Sequence, residues 1–189
     1  MNSFYKALLL GALIQSNNAI AQDLPNSHDP KKEIYLSPAN NEKISPNSNP
    51  SINPLKNWKI NPAKNKDINP TENTAINPQF KPDLNPNVNE SINPNLKINL
   101  HPSSKTGKLY YLFNKSDDLV GYLTQPTRDV LLCFDTTGEW TCYYVKTESG
   151  TYNLFDKTGS WTGNYICYDN SAGYNQFDKE GKWTGMHIK

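Results

Sequence analysis

The sequence is poor in the features that catalysis, nucleic-acid binding and membrane insertion require. Its formal net charge is only +1 and its basic residues do not cluster, which argues against a nucleic-acid partner. Its three histidines, His28, His101 and His187, stand in unlike contexts and away from the cysteines, so we expect neither a catalytic triad nor a zinc site. The longest apolar run covers only residues 7–14, whereas a membrane-spanning helix needs about 20 residues. The sequence therefore predicts a protein that is not an enzyme, holds no cofactor or metal and has no transmembrane span.

Each half of the chain lacks residue types that are common in the other half. Of the 14 prolines, 13 lie at or before Pro102, and of the 10 glycines, 9 lie at or after Gly107. The last 82 residues contain all three cysteines and 16 of the 21 aromatic residues. This change in composition predicts a domain boundary near residues 100–107. We divide the chain into a signal peptide at 1–21, a flexible leader at 22–35, an octad-repeat stalk at 36–105 and a β-hairpin repeat domain at 106–189.

The N-terminus is typical of a secretory signal peptide. Lys6 supplies the positive charge, residues 7–14 form the apolar segment, and Ala19 and Ala21 form a small-residue cleavage site before Gln22. A buried N-terminal helix is the alternative. No cysteine follows the cleavage site, so we expect no lipid anchor there. The mature protein is predicted to be extracytoplasmic, that is, secreted, periplasmic or at the cell surface.

One pattern returns every eight residues from Leu36 onward. Each octad opens with Ile or Leu, has proline at the third position and usually has asparagine at the sixth. The nine opening residues are Leu36, Ile44, Ile52, Ile60, Ile68, Ile76, Leu84, Ile92 and Leu100. The regular prolines remove backbone donors and fix φ, which excludes a long helix and a central strand. Asn before Pro favours turns instead, including a single helical turn with Asn as its N-cap.

The octads carry too little apolar surface to fold alone. Burying one aliphatic side chain contributes about 1.5–3 kcal/mol per octad, whereas ordering eight residues costs about 1–2 kcal/mol for each backbone. The array is therefore either an extended, polyproline-like stalk or a solenoid that becomes ordered by stacking on itself or on a partner. The strict register favours order, because a spacer needs composition but not phase. Nine copies of one motif also suit multivalent contact.

A second, longer repeat occupies the last 82 residues. Its four units are YYLFNKSDDLVGYL, LLCFDTTGEWTCYYV, YNLFDKTGSWTGNYI and YNQFDKEGKWTGMHI. In the last three units Phe is followed by Asp, Gly and Trp, which predicts hairpins whose Asp accepts turn N–H groups and whose Gly takes a positive φ. Phe then faces Trp across the two strands. The four units predict an all-β meander of hairpins, as an open sheet or a small barrel, preceded by an octad region that is extended or solenoid-like.

These units resemble the YD repeats of bacterial surface and toxin proteins, and also MORN-type hairpin repeats. The resemblance covers residues 108–189 and rests on the pattern aromatic-Asp-x-x-Gly-x-aromatic, as in FDKTGSW and FDKEGKWTG. It implies β-hairpin geometry and a binding or scaffold role, and it assigns no individual functional residue.

Three cysteines in an exported chain indicate one disulfide and one remaining thiol. Cys133 and Cys142 flank the same turn, and Cys142 replaces the glycine that the other units have at this position, which favours a bridge between these two. A three-residue loop would put them on opposite faces of the sheet, whereas a four-residue loop would place them opposite each other. Cys142 and Cys167 are the competing pair.

Aromatic side chains provide the candidate binding residues. Three tryptophans should lie on one face, and each unit adds an aromatic or histidine residue four positions later. These six residues are Trp140, Trp161, Trp183, Tyr144, Tyr165 and His187. If the row is exposed, it forms a platform for sugar rings or a protein partner, and if it is buried, it is the core face.

From these patterns we expect a secreted or surface-exposed, non-catalytic binding protein. The octads would form its stalk, and the hairpin domain would recognise a protein or carbohydrate ligand at the cell surface. The alternative function is a structural or assembly scaffold built from both repeat types.

Overall fold

The computed structural model describes Tyr35 and residues 37–100, 109–148, 150–170 and 173–189. The predicted signal peptide, its cleavage site before Gln22 and all of the leader except Tyr35 lie outside the described residues, as do residues 101–105 at the end of the octads.

Each octad forms one coil that contains a short 3-10 turn. In the described octads these turns are Glu42–Ile44, Pro50–Ile52, Trp58–Ile60, Lys66–Ile68, Thr74–Ile76, Pro82–Leu84, Glu90–Ile92 and Ile98–Leu100. Every turn ends on the Ile or Leu that opens the next octad, and in the octads that open between Ile44 and Ile92 a second turn that includes the proline follows it. Three residues is a common length for 3-10 geometry, whose hydrogen bonds become poor in longer runs.

Asparagine side chains join successive coils. At the sixth position of its octad, Asn57 caps a 3-10 turn, because its Oδ1 accepts the N–H of Lys59 at 3.2 Å. Its Nδ2 donates to the carbonyl of Ser51 in the preceding coil at 2.8 Å. At the second position, Asn61 Nδ2 donates to the carbonyl of Pro54 at 2.9 Å. Because each amide bonds a carbonyl at a fixed distance back along the chain, these hydrogen bonds require the strict eight-residue register.

The hairpin repeats form a closed barrel of eight antiparallel strands. In chain order the strands are β1 (Tyr110–Phe113), β2 (Leu119–Thr124), β3 (Val130–Asp135), β4 (Trp140–Lys146), β5 (Thr151–Asp156), β6 (Trp161–Tyr168), β7 (Tyr174–Phe177) and β8 (Trp183–Ile188). Each strand pairs with the next one, and β1 pairs with β8, where Leu112 faces Ile188. The all-β hairpin meander is confirmed, and of the two forms left open by the sequence it takes the barrel.

The turns within the hairpins use the chemistry that the sequence predicted. In the turn between β5 and β6, Asp156 Oδ1 accepts the N–H groups of Thr158 and Ser160, each at 2.9 Å, and Gly159 has a φ of +92°. Slight burial opposes ionisation of Asp156, but these hydrogen bonds and one from the Thr158 hydroxyl outweigh it and lower the pKa of the carboxyl. We call this end of the barrel the turn end, and the end that holds residues 125–129, 147–148, 150, 169–170 and 173 the loop end.

Strand residues alternate between the barrel lumen and its outer wall. The buried lumen cluster comes from strands all around the barrel: Leu112, Leu123, Leu131, Cys133, Tyr144, Tyr152, Leu154, Ile166 and Ile188. The Gln176 side chain of β7 donates to Tyr144 Oη of β4 at 3.1 Å, a hydrogen bond between strands that are not neighbours. The lumen is therefore a packed core.

The outer wall carries pairs of rings on neighbouring strands. The pairs are Tyr122–Phe134, Tyr143–Phe155, Tyr165–Phe177 and His187–Phe113, with ring centroids 5.5, 5.7, 5.8 and 5.4 Å apart. The opening side chains of several octads pack against this wall: Ile52, Ile68, Ile76, Leu84 and Ile92. The wall thus gives the octads an apolar surface to bury against, which they lack on their own.

The octad coils run around the barrel as a belt, a name that we use for residues 37–100. Contacts at the turn glycines mark its path: Gly181 with Asn53, Gly159 with Asn77, and Gly138 with Asn95. Asn53 and Asn77 are three octads apart, so three octads of belt match one hairpin of barrel. A buried hydrogen bond of 2.8 Å from Asn153 Nδ2 of β5 to the Ile60 carbonyl also joins the two repeat regions.

One extra residue in β6 explains the uneven spacing of the phenylalanines in the repeat. Trp161 and Tyr165 of β6 are four positions apart and pair with Phe155 and Phe177 of the two neighbouring strands. The corresponding residues of β4, Trp140 and Tyr143, are only three positions apart. The additional residue of β6 follows from a bulge at Gly163, whose φ of +86° suits glycine.

Candidate ligand-binding cleft at the loop end of the barrel

The three tryptophans of the predicted row lie on the outer wall, packed against the barrel and the belt. Trp140 is buried, and Trp161 and Trp183 are half-buried. Each indole Nε1 donates to a backbone carbonyl of its own strand, at 2.8 Å for Trp140 and 3.2 Å for the other two. The side chains expose part of their surface but no free face comparable to the platform that the sequence allowed.

The structure does not bring all six predicted residues together. Tyr165 and His187 lie on the outer wall, both buried, and the His187 Nε2 is 3.2 Å from Asp117 Oδ1. Tyr144, by contrast, lies in the lumen, so the expectation that it belongs to the same row is wrong. The reason is the shorter spacing in β4, where Tyr143 occupies the position that Tyr165 has in β6.

The two cysteines of the candidate disulfide face each other as free thiols. Cys133 and Cys142 are direct cross-strand partners, although Phe134 also faces Trp140. Both pairings occur in the same hairpin because a bulge lies between Cys133 and Phe134, whereas the loop-length argument allowed only one of them. The hydrogen bond between the thiols, together with burial, raises the pKa of Cys133. Cys167 lies apart from them on the outer wall, and burial raises the pKa of its thiol.

Among the described residues, three clefts lie at the loop end where the belt meets the barrel, and equivalent positions of the two repeats line all three. The first, of about 340 Å³, is the tyrosine cleft, formed by Lys43, Asn49, Ile52, Lys146, Gly150, Thr151, Tyr152, Tyr168, Asn170 and Tyr174. The second, of about 460 Å³, is the charged cleft, which includes Asp67, Ile76, Arg128, Asp129, Lys146 and Glu148. The third, of about 290 Å³, is the proline cleft, formed by Ser91, Ile92, Leu100, Thr124, Gln125 and Pro126. Belt residues three octads apart line the same position in successive clefts: Ile52 in the tyrosine cleft, Ile76 in the charged cleft and Leu100 in the proline cleft.

The tyrosine cleft is lined by a cluster of rings. Tyr174 stands at its centre, with its ring edge-on to Tyr152 and Tyr168 at 5.7 Å and to Tyr110 at 6.2 Å between centroids. Tyr152 is buried, and burial raises the pKa of both Tyr152 and Tyr174. Tyr168 is 44% exposed and gives the cleft an accessible aromatic surface. Tyr152 and Tyr174 therefore contribute neutral hydroxyls to this cleft, and Tyr168 contributes accessible ring surface.

Two lysines line the same cleft, one from each repeat region. Lys43 comes from the belt, where Asn41 Oδ1 accepts its backbone N–H at 3.1 Å, and Lys146 comes from the end of β4. Neither ammonium group forms an ion pair with another described residue, and the part of the chain that the structure describes places no Asp or Glu in the lining of the cleft. The cleft can therefore offer positive charge and aromatic surface together.

Sequence reasoning missed this cleft because its residues come from both repeats. Tyr168 follows the outer-wall Tyr165 by three positions, and the equivalent residues of the other hairpins are Lys146 and Gln125. This departure from the repeat is visible in the sequence. Its significance depends on the belt, whose position along the barrel carries no local signal.

Potential metal ligands, apolar helices and similarity to known proteins do not identify a function. Among the described residues, no group of His, Cys, Asp or Glu side chains could hold a metal ion. No helix in the described ranges combines the length and the apolar character needed to cross a membrane. Comparisons of the chain with protein families, with curated proteins and with solved structures give no match.

Proposed function

We propose that this chain is an exported, non-catalytic binding protein that recognises its ligand in the tyrosine cleft. The observation that supports this is the joint construction of the cleft, with rings from the barrel and a lysine from the belt. Its volume of about 340 Å³ is within the range of roughly 300–1,000 Å³ found for small-molecule sites, which often lie in the mouths of β-barrels. In this proposal the octads contribute to recognition and do not serve only as a stalk.

Specialisation of one cleft among three supports the same proposal. The repeats impose an equivalent frame on all three clefts, so a purely structural origin would leave them alike in character. Of these three, the tyrosine cleft alone combines an accessible ring with a lysine from the belt, and its described lining includes no acidic side chain. The charged cleft has side chains of both charge signs, and the proline cleft is lined by neutral polar and apolar side chains.

A binding panel tests the proposed function. The full chain, immobilised for surface plasmon resonance, is exposed to neutral and acidic oligosaccharides and to peptides of both charge signs. We expect saturable binding of at least one ligand with a Kd below about 1 mM, or roughly −4 kcal/mol, and loss of that binding in Tyr168→Ala. A folded chain that binds no member of the panel would contradict the proposal.

An assembly scaffold remains the second candidate, and a stripe of apolar side chains on the belt favours it. Phe80, Val88 and Leu96 occupy the fifth position of three successive octads and are 62%, 63% and 60% exposed. Exposed apolar stripes often mark protein contacts. Sedimentation velocity separates the two functions: concentration-dependent polymers that Val88→Lys dissolves support the scaffold, whereas a monomer at all concentrations supports the binding protein.

A further inference from the structure

The internal repeats show which features of the tyrosine cleft are specific to it. The belt position of Lys43 is taken by Asp67 in the charged cleft and by Ser91 in the proline cleft. The barrel position of Tyr168 is taken by Lys146 and by Gln125. A belt cation and an exposed ring therefore coincide in only one of the three equivalent frames.

The charge of the cleft defines the ligand more narrowly. Lys43 and Lys146 line it without an acidic side chain among the described residues, whereas the charged cleft also contains Arg128 and three carboxylates. Lys146 borders both clefts, so Lys43 is the cation that belongs to the tyrosine cleft alone. Charge-assisted hydrogen bonds between ammonium groups and a carboxylate are about twice as strong as neutral ones.

The aromatic and polar lining defines the rest of the ligand. Tyr168 offers a partly exposed ring, and Thr151 and Asn170 add a hydroxyl and an amide. A ring with an apolar face and hydroxyl edges matches such a lining better than an aliphatic chain does. A nucleic acid is a poorer match, because a polyanion is held by a run of cations and the whole chain has a net charge of only +1.

We infer that the tyrosine cleft binds a carboxylate-bearing saccharide, with its sugar ring against Tyr168 and its carboxylate between Lys43 and Lys146. This inference rests on the proposed binding function and specifies the class of ligand. It assigns ring recognition to the barrel and selection for the acid chiefly to the belt.

Matched pairs of acidic and neutral sugars test the inference by isothermal titration calorimetry on the full chain. The first pair is tetragalacturonate and its methyl ester, which keeps the rings and removes the charge. The second pair is sialyllactose and lactose. We expect the acid of at least one pair to bind at least tenfold more tightly than its neutral partner, and this preference to shrink as salt is added.

Single-residue variants separate the contribution of Lys43 to acid selection from the contribution of Tyr168 to ring binding. Lys43→Gln should weaken binding of the acid about tenfold and leave binding of the neutral sugar unchanged. Tyr168→Ala should weaken binding of both. Lys64→Gln and Trp58→Ala are the matched controls, since both residues are exposed on the belt and neither lines the cleft, and both variants should stay within twofold of wild type.

Failure of the ligand class, of the assignment to this cleft and of the binding function each give a different result. If sugars bind through Tyr168 but acids and neutral partners bind alike, the inference is overturned and the binding function stands. If Lys43→Gln and Tyr168→Ala both leave sugar binding unchanged, the assignment to this cleft is overturned. A twelve-residue single-stranded DNA that binds more tightly than every acid overturns the ligand class. If no sugar, peptide or DNA binds, the proposed function itself fails.

Discussion

The turn between β5 and β6 allows a quantitative test of the contact between belt and barrel. Gly159 has a φ of +92°, and a Cβ placed there would lie 2.7 Å from Asn77 Nδ2 and 3.3 Å from Tyr143 Oη. Gly150, in the loop between β4 and β5, has a φ of +70°, and a Cβ there would meet nothing within 4 Å. Alanine at either position is strained in its backbone, but only Gly159→Ala also collides with the belt.

The expected difference follows from the hydrogen bonds of Asn77. Its buried amide donates to the Pro70 carbonyl at 3.1 Å and accepts the Gln79 N–H at 2.9 Å. A left-handed alanine costs about 1–2 kcal/mol at either glycine, and displacing a buried, hydrogen-bonded amide costs about 1–3 kcal/mol more. Gly150→Ala should therefore lower the free energy of unfolding by about 1–2 kcal/mol, and Gly159→Ala by about 2–5 kcal/mol.

Urea unfolding monitored by tryptophan fluorescence measures both variants. The midpoint should shift without a change in the slope, because the surface exposed on unfolding stays the same. In an Asn77→Ala background, Gly159→Ala should lose its excess cost, since the colliding amide is gone. Equal destabilisation by the two glycine substitutions would refute the packing of the belt on this turn.

Three further predictions concern the belt, the turns and the cysteines. Ile60→Ala should lower the free energy of unfolding by about 2–5 kcal/mol because its side chain is fully buried, whereas Ile98→Ala, at 71% exposure, should change it by less than about 0.5 kcal/mol; urea titration compares them, and equal effects would contradict the burial. Hydrogen bonds hold the pKa of Asp156 below its ordinary 3.8 in the folded state, so this group adds stability above that pH and loses it as the pH falls through the lowered pKa. Asp156→Asn should keep the turn, as asparagine does in the first hairpin, and flatten the loss of stability from pH 5 downward; an unchanged pH profile of thermal unfolding would argue against the shift. With oxidised glutathione as the oxidant, Cys133 and Cys142 should form a disulfide because they are cross-strand partners, and peptide mapping without reductant would contradict this if it found a bridge to the third cysteine instead.

The hairpins could be predicted because their turns are determined locally. The Asp-x-x-Gly motif places an acceptor and a left-handed residue within five positions, and the structure uses both as expected. Barrel closure could not be predicted in this way. It depends on β1 pairing with β8, and Leu112 and Ile188 are too far apart in sequence for any pattern to connect them.

The error at Tyr144 has a physical cause that the sequence contained. Counting four positions from each tryptophan assumed that all hairpins have the same strand length. The step from 21 to 22 residues between successive phenylalanines indicated otherwise, because the bulge at Gly163 adds one residue to β6 alone among the strands in that interval. Since side chains alternate in a strand, a shift of one residue moved Tyr144 from the outer wall into the lumen.

The position of the belt was beyond sequence reasoning for a different reason. Its register along the barrel is set by contacts such as Asn153 to the Ile60 carbonyl, which join residues 93 positions apart. Neither repeat has a feature that identifies the other as its partner. For the same reason the tyrosine cleft, which brings Lys43 to Tyr168, could not be anticipated from either repeat alone.

The order of belt and barrel in the chain has a consequence for synthesis. A ribosome makes the belt first, and the strands that Leu84 packs against and that bond the Ile60 carbonyl emerge only afterwards. Until then the octads have no barrel wall to pack against. Their apolar residues are sparse and separated by proline and asparagine, so the nascent chain has little apolar surface to drive collapse or aggregation. The last strand, β8, must pair with β1 before the barrel closes. Folding is therefore expected to wait for the C-terminus and then to be slow, since barrel closure and the burial of the belt both join distant parts of the chain.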